Sequence, residues 1–243
     1  MKYILGLSKV FTLIILCLLI LVGTSIFVYA KTKPQQQTQK IHDLTAKEKS
    51  QELLKTINAQ GLSTEALQTA IKAYKILRQH GRDPKGILTV IDYTLASSKP
   101  RLWVIDVKNN KLLFNVHVAH GKESGNLHSD RFSDKPRSDA TSIGVYVTEN
   151  TYSGKHGYSL RLRGLDVGFN DNVAKRAVVM HSASYVSKSF LKAHGRLGRS
   201  WGCPALSKAI APKIINTIKN GTILVAYYPD KSWMNKSVYL NKN

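Results

Sequence analysis

Apolar and polar positions change rhythm several times along the chain, and each change marks an element. Val10 to Val28 is an uncharged apolar run of nineteen residues, preceded by Lys2 and Lys9 and followed by Val28-Tyr29-Ala30 before Lys31. A basic start, an apolar core and a small residue before the next charge are the marks of an export leader. The run is also close to the length that spans a bilayer, so residues 1–30 read as a signal peptide or a signal anchor. Residues 31–44 open with a polar stretch that has nothing to bury, and predict a flexible tether. From 45 to 58 and from 63 to 80 the apolar residues fall at helical spacing: Leu53, Leu54 and Ile57, then Ala66, Leu67, Ala70, Ile71, Tyr74 and Leu77. Ser63 stands as an N-cap with Glu65 in the first turn, Arg78 and His80 lie in the last turn, and Gly81 closes it. Residues 45–84 are therefore a short helical region.

From Ile87 the period shortens to two. Strands are predicted at 87–94, 101–107 and 111–118, with Lys108-Asn109-Asn110 as a tight turn between the last two. Further strands follow at 142–149, 177–181 and 222–228, a helix at 206–219, and a long polar loop at 121–138 of the kind that often carries function. The expected fold class is mostly β with peripheral helices: a β-sandwich preceded by the short helical region. The catalytic domain would run over 87–230, with 231–243 as a C-terminal tail.

Composition adds a core and a charge. With 243 residues, 43% of them hydrophobic, and only 7 prolines, the chain has enough apolar material for one sizeable domain. The formal net charge is +21, and only Lys2 and Lys9 of the 36 lysines and arginines fall in the leader. An exported chain so basic is attracted to anionic envelope polymers, although lysines scattered along the sequence also suit an ordinary solvated surface. Of two cysteines, Cys17 lies in the leader after Leu16, where lipid attachment would need a small residue. Cys203 is then the lone thiol of an exported domain, placed in the periplasm or cell envelope, secreted or held at the inner membrane. Such a thiol is a candidate reactive group rather than half of a disulfide.

Two segments carry candidate chemistry. Val178-Val179-Met180-His181-Ser182 is a strand ending in histidine, and Gly198-Arg199-Ser200-Trp201-Gly202-Cys203-Pro204 is a glycine-rich turn ending in cysteine. A thiol needs a base or a positive neighbour to act as a nucleophile near neutral pH, and His181 can supply the base. Ser182 can orient the histidine ring. The turn residues Ser200, Trp201 and Gly202 would leave backbone N–H groups free to form an oxyanion site. Arg199 adds positive charge, and Pro204 would start a helix whose N-terminus favours a thiolate. The bland alternative is an inert buried thiol beside a satisfied core histidine. His117, His120, His128, His156 and His194 fit no zinc spacing, so no metal site is expected. His194 is a rival base near the motif in sequence.

These residues resemble the L,D-transpeptidase catalytic domain of the YkuD type, whose mark is a histidine at a strand end followed by Ser-x-Gly-Cys; here His181 and Ser200-Trp201-Gly202-Cys203 match it. The resemblance runs from about Ile87 to Tyr228 and includes Tyr152 to Leu160 and Gly195 to Arg199, which look like a divergent murein L,D-transpeptidase branch with Gly-Arg-Ser-Trp-Gly-Cys-Pro-Ala-Leu. It implies a Cys203 thioester on the third residue of a peptidoglycan tetrapeptide stem, with release of terminal D-Ala. An amine acceptor would then give a 3→3 cross-link, water would give carboxypeptidase activity, and a lysine of an acceptor lipoprotein would give protein attachment. No cofactor is implied. Many members carry Arg two residues after the cysteine where this chain has Ala205, so Arg199 or Arg196 would hold the substrate carboxylate, with Tyr152 and Tyr158 as a wall over the donor stem.

Two rival readings stand beside it. A basic, aromatic-containing chain can be a non-catalytic binder of cell-wall glycan or another polyanion, though no nucleic-acid motif is present and nucleic acid is not an expected partner. The same dyad would also serve an exported cysteine peptidase of proteins.

Overall fold

The computed structural model describes residues 52–57 and 59–241. The leader at 1–30, the tether at 31–44 and the first half of the 45–58 helix lie outside them, while residues 52–56 are helical. Among the described residues no helix is long and apolar enough to cross a membrane.

Helix α1 (Thr64–Gln79) begins where its capping residue directs. Ser63 is extended, and its hydroxyl accepts the Ala66 N–H at 3.2 Å, a bond whose loss typically costs about 1 kcal/mol. Ala66, Leu67, Ala70, Ala73, Tyr74 and Leu77 form its buried stripe. That stripe shares a core with Leu88, Val90, Trp103, Ile105, Val145, Ile223 and Val225, so this helix is a layer of the same domain as the strands.

The strands are β1 (Ile87–Asp92), β2 (Leu102–Asp106), β3 (Lys111–Val116), β4 (Gly144–Gly154), β5 (Gly157–Gly164), β6 (Val179–Ala183), β7 (Ala205–Ser207) and β8 (Ile223–Tyr227). They form one eight-stranded sheet in the order β3-β2-β1-β8-β4-β5-β6-β7. The β1–β8 and β6–β7 pairs are parallel and the others antiparallel. Alternation along each strand divides the side chains between two cores. Leu88 and Val90 of β1 join the core under α1, whereas Ile87 and Ile91 join a second one. In that second core Leu102, Val104, Leu160, Leu162, Met180 and Leu224 pack with Ile214, Ile215 and Ile218 of α3 (Ala211–Ile218), itself preceded by α2 (Lys188–His194). Full burial of side chains of this size is worth roughly 1.5–3 kcal/mol each.

The two outer strands of the sheet come together. Beyond β3 the chain reaches Ala119, whose N–H donates to the Ala205 carbonyl at 2.9 Å, and Gly121 bridges to Ser200. The layers of the expected sandwich thus belong to one sheet that folds over and closes near Cys203.

Three expectations change. The helix expected at 206–219 starts only at Ala211, with Pro212 in its first turn, because Ala205–Ser207 pairs with β6 as a strand. Pro204 accordingly leads into β7 and not into a helix. The tail at 231–243 contains α4 (Lys231–Lys236) and α5 (Val238–Asn241). Trp233 of α4 is fully buried in the core under α1 and donates from its indole nitrogen to Asp166 at 2.8 Å.

Candidate active site

The parallel pairing of β6 with β7 sets His181 beside Ala205, and the same register carries Cys203, two residues earlier, alongside Val179. The Val179 N–H points at the Cys203 sulfur, 3.4 Å away. Val178 and Met180 turn into the core, while Val179 and His181 line an open cleft of about 850 Å³ together with Cys203.

The turn before Cys203 is held by Ser200. Its hydroxyl donates to the Cys203 carbonyl at 2.7 Å and accepts the Gly202 N–H at 3.1 Å. Gly202 has φ +112, and a Cβ there would lie 2.7 Å from the Ala140 carbonyl oxygen, so this position requires glycine for both conformation and space. The Gly202 N–H is therefore already used inside the turn. The Cys203 N–H, by contrast, has no acceptor among the described residues. Trp201 supplies the rim: the residue is 70% exposed, and the Lys122 and Lys155 ammonium groups stand 5.7 and 6.0 Å from its ring centroid.

His181 is buried, and its Nδ1 is 2.9 Å from the Ser182 carbonyl oxygen. A carbonyl can only accept, so Nδ1 carries the proton and Nε2 is left bare. Ser182 thus orients the ring through its backbone. Burial lowers the His181 pKa, the Ser182 carbonyl partly offsets this, and the neighbouring His156 ring lowers it again. Burial raises the Cys203 pKa, against the pull of the Val179 N–H, Arg176 and Lys155. Both shifts favour the neutral form of the group they act on, the thiol and the imidazole that share the cleft.

The β4–β5 hairpin overhangs this pair. Pairing between β5 and β6 involves only Leu160 with Met180 and Arg161 with Val179, so the hairpin runs on past the sheet. Its tip carries Lys155 and His156 over the cleft, and the His156 ring stacks on His181 with centroids 4.5 Å apart. Tyr152 lines the cleft, its ring 4.4 Å from the Arg161 guanidinium.

Of the other sequence-predicted residues, Arg199 lines the cleft but spends its Nη1 on the Lys122 and Gly125 carbonyls. Arg196 donates to the Leu197 carbonyl and is not among the lining residues. Tyr158 is also absent from the lining: its hydroxyl donates to Asn216 in α3 at 2.8 Å. His194, the rival base, stacks on Phe190 in α2 outside the cleft. His120 is fully buried, its pKa lowered to about 4 by burial and by the Arg101 guanidinium against it. Its backbone carbonyl accepts the Ser200 N–H and so braces the nucleophile turn. Ala205 is fully buried in a small core with Ala119, Ala183, Val186 and Leu197, leaving no room for an arginine side chain at that position.

Sequence reasoning missed Arg176, Tyr185 and the pairing of His156 with His181. The spacing Gly154-Lys155-His156-Gly157 was a readable two-residue hairpin turn. Nothing in Ala174-Lys175-Arg176-Ala177 distinguishes a buried arginine from an exposed lysine. Among the described residues no three His, Cys, Asp or Glu side chains are grouped to hold a metal ion.

The family model described as the L,D-transpeptidase catalytic domain matches residues 58–227, well over half of the chain. A comparison with curated proteins found no match. Among solved structures, an L,D-transpeptidase from Stackebrandtia nassauensis is 15% identical over 74% of this chain and 76% of its own, with a TM-score of 0.36. One from Mycobacterium smegmatis is 15% identical over 59% of both chains, TM-score 0.36, and one from Mycobacterium tuberculosis H37Rv is 18% identical over 59% and 58%, TM-score 0.35. The chain thus spans about three-fifths of the length of these mycobacterial relatives.

Proposed function

The chain belongs to the L,D-transpeptidase catalytic domain family, and from that premise we propose that it is an exported peptidoglycan acyltransferase using Cys203 as nucleophile. The observation that carries this reading is the convergence of Cys203, from the turn leading into β7, and a tautomer-fixed His181, from β6, onto one open cleft.

In the proposed reaction the Cys203 sulfur attacks the carbonyl of the third residue of a tetrapeptide stem while its proton passes to His181 Nε2. The unpaired Cys203 N–H is the backbone donor best placed for the developing oxyanion. As the amide breaks, His181 returns the proton to the leaving D-Ala amine and a thioester remains. An acceptor amine from a second stem, a lipoprotein lysine, or water then resolves the thioester and frees the thiol. Anionic envelope polymers are the proposed partners of the basic surface. The apolar N-terminal segment directs the chain to the periplasm or envelope.

The cleft offers cations in place of the missing arginine at 205. Among the described residues Lys155 and Lys208 line it without any hydrogen bond or ion pair, unlike Arg199 and Arg176. Lys155, over Trp201, is the proposed contact for a stem carboxylate. Lys155→Met should raise KM for a tetrapeptide stem about 3- to 10-fold, and a stem ending in a carboxamide should erase the difference from wild type. Equal KM values for the two proteins on the acid would remove Lys155 from this role.

The reading is tested by incubating the protein with disaccharide tetrapeptide and, separately, with casein. Released D-Ala, or a dimer lighter than two stems by one D-Ala, supports it. Cleavage of casein alone would favour the peptidase alternative, and wall binding with no turnover of either substrate would favour the non-catalytic one.

A further inference from the structure

Arg176 lies beside the nucleophile turn, and no step of the acyl transfer uses it. Its side chain is only 3% exposed. Nη1 donates to the Ser133 carbonyl at 2.9 Å and the Ser142 hydroxyl at 2.6 Å; Nη2 donates to the Ser138 hydroxyl at 3.1 Å and the Ala140 carbonyl at 2.7 Å. All four acceptors belong to one stretch, 133–142. That stretch has no regular secondary structure of its own, so the guanidinium fork does the work a strand ladder would otherwise do.

The clamped stretch abuts the nucleophile. A Cβ built on Gly202 would meet the Ala140 carbonyl oxygen at 2.7 Å and Arg176 Nη2 at 3.1 Å, so the guanidinium and the carbonyl it holds lie against the residue preceding Cys203. The counter-ion is set slightly apart: Asp134 Oδ1 is 3.5 Å from Arg176 Nη1. Its carboxylate is engaged elsewhere, with Oδ1 accepting from the Ser142 hydroxyl at 3.0 Å and Oδ2 from the Asn172 N–H at 2.7 Å. A buried ion pair is a costly way to fill space that an apolar side chain could fill. Filling space therefore does not call for an arginine here, whereas the four acceptors of 133–142 do.

We propose that Arg176 is a positioning residue for Cys203: its fork fixes the stretch on which the nucleophile turn rests, and its guanidinium, held against Gly202, sets a positive charge beside the nucleophile, with Asp134 moderating that charge. The inference rests on Cys203 being the nucleophile of the reading above. The other groups around the thiol are the Val179 N–H, His181, Tyr185 and Lys155 at the hairpin tip, which line the same cleft, and the buried Tyr93, whose pKa burial and the thiol's charge raise. Of the side chains that oppose the burial of Cys203, Arg176 has the largest effect and Lys155 follows.

The test is the rate of Cys203 alkylation by iodoacetamide as a function of pH, which needs no peptidoglycan and so can succeed even where the substrate assignment fails. Wild type, Arg176→Met, Arg176→Lys and Asp134→Asn would be compared as full-length proteins, each checked for a cooperative thermal transition. Arg176→Met should alkylate on the order of tenfold more slowly at neutral pH, with its profile displaced to higher pH. Arg176→Lys, keeping the charge but not the fork, should hold the profile near wild type and melt at a lower temperature. Asp134→Asn should displace the profile to lower pH. A purely structural arginine predicts lower melting temperatures and unmoved profiles, and that result overturns the proposal. If Arg176→Met does not fold, Asp134→Asn decides: an unmoved or upward profile overturns it.

Discussion

Replacing Cys203 by alanine should reduce release of D-Ala from a tetrapeptide stem by about 10⁴-fold or more, leaving the fold intact. The size follows from the role: without a sulfur no thioester forms, and what remains is binding and oxyanion stabilisation acting on an unpositioned water with His181 as the base. Stability should change little, because the Cys203 side chain is only partly buried and its contacts to Val179 and Ala177 are long, at 3.4 and 3.9 Å. Cys203→Ser is the sharper variant. It keeps a nucleophile of similar shape in the same turn, with the Ser200 bonds to the Gly202 N–H and the Cys203 carbonyl undisturbed. A hydroxyl facing a neutral imidazole is far less nucleophilic than a thiol, so activity should fall nearly as far as in the alanine variant. Intact-protein mass spectrometry after exposure to stems or to a carbapenem gives the direct readout. Wild type should gain an adduct that both variants lack, and an adduct persisting on either variant would move the nucleophile away from Cys203.

What the sequence made legible was local. The α1 helix buries one stripe, and β1, β2 and β8 are short apolar runs buried on both faces, so local pattern sufficed for them, and Ser63 capped α1 through a bond three residues long. The nucleophile motif was legible for the same reason, since the Ser200 hydroxyl organises Gly202 and Cys203 within four residues. The stretch 206–219 was misread because Leu206 serves a strand and Ile214, Ile215 and Ile218 a helix, yet both turn into the same core and together mimic one helical stripe. Contacts at long separation were invisible. Ala119 meets Ala205 across the closing sheet, His156 meets His181 through a hairpin overhang, and Arg176 reaches back to residues 133–142. The substrate-facing residues suffered most: Tyr158 and Arg199 carry suitable chemistry, but Asn216 and the Lys122 and Gly125 carbonyls already occupy it. A polar side chain's sequence neighbours say little about whether its donors are free, because its acceptors come from other parts of the fold.

His181→Gln should lower turnover by about 10²- to 10⁴-fold while leaving the alkylation profile of Cys203 near that of wild type. The two halves of this expectation come from one feature of the site. Burial lowers the histidine's pKa and raises that of the thiol, and both shifts favour a resting pair neutral on both sides over a thiolate with an imidazolium. In a preformed ion pair, loss of the imidazolium would push thiol ionisation to higher pH, and alkylation would report it at once. In a neutral pair the histidine acts only as the proton moves, so its loss appears in turnover and not in the resting reactivity of the sulfur. The sign of the pH dependence follows as well. Protonated His181 cannot accept the thiol proton, so activity falls on acidification through its pKa, and that pKa lies below the ordinary histidine value of 6.5. The acid limb of kcat/KM should therefore stand below pH 6.5 in wild type and vanish in His181→Gln. An alkylation profile displaced upward by His181→Gln, together with an acid limb at or above pH 6.5, would instead establish the ion pair as the resting state.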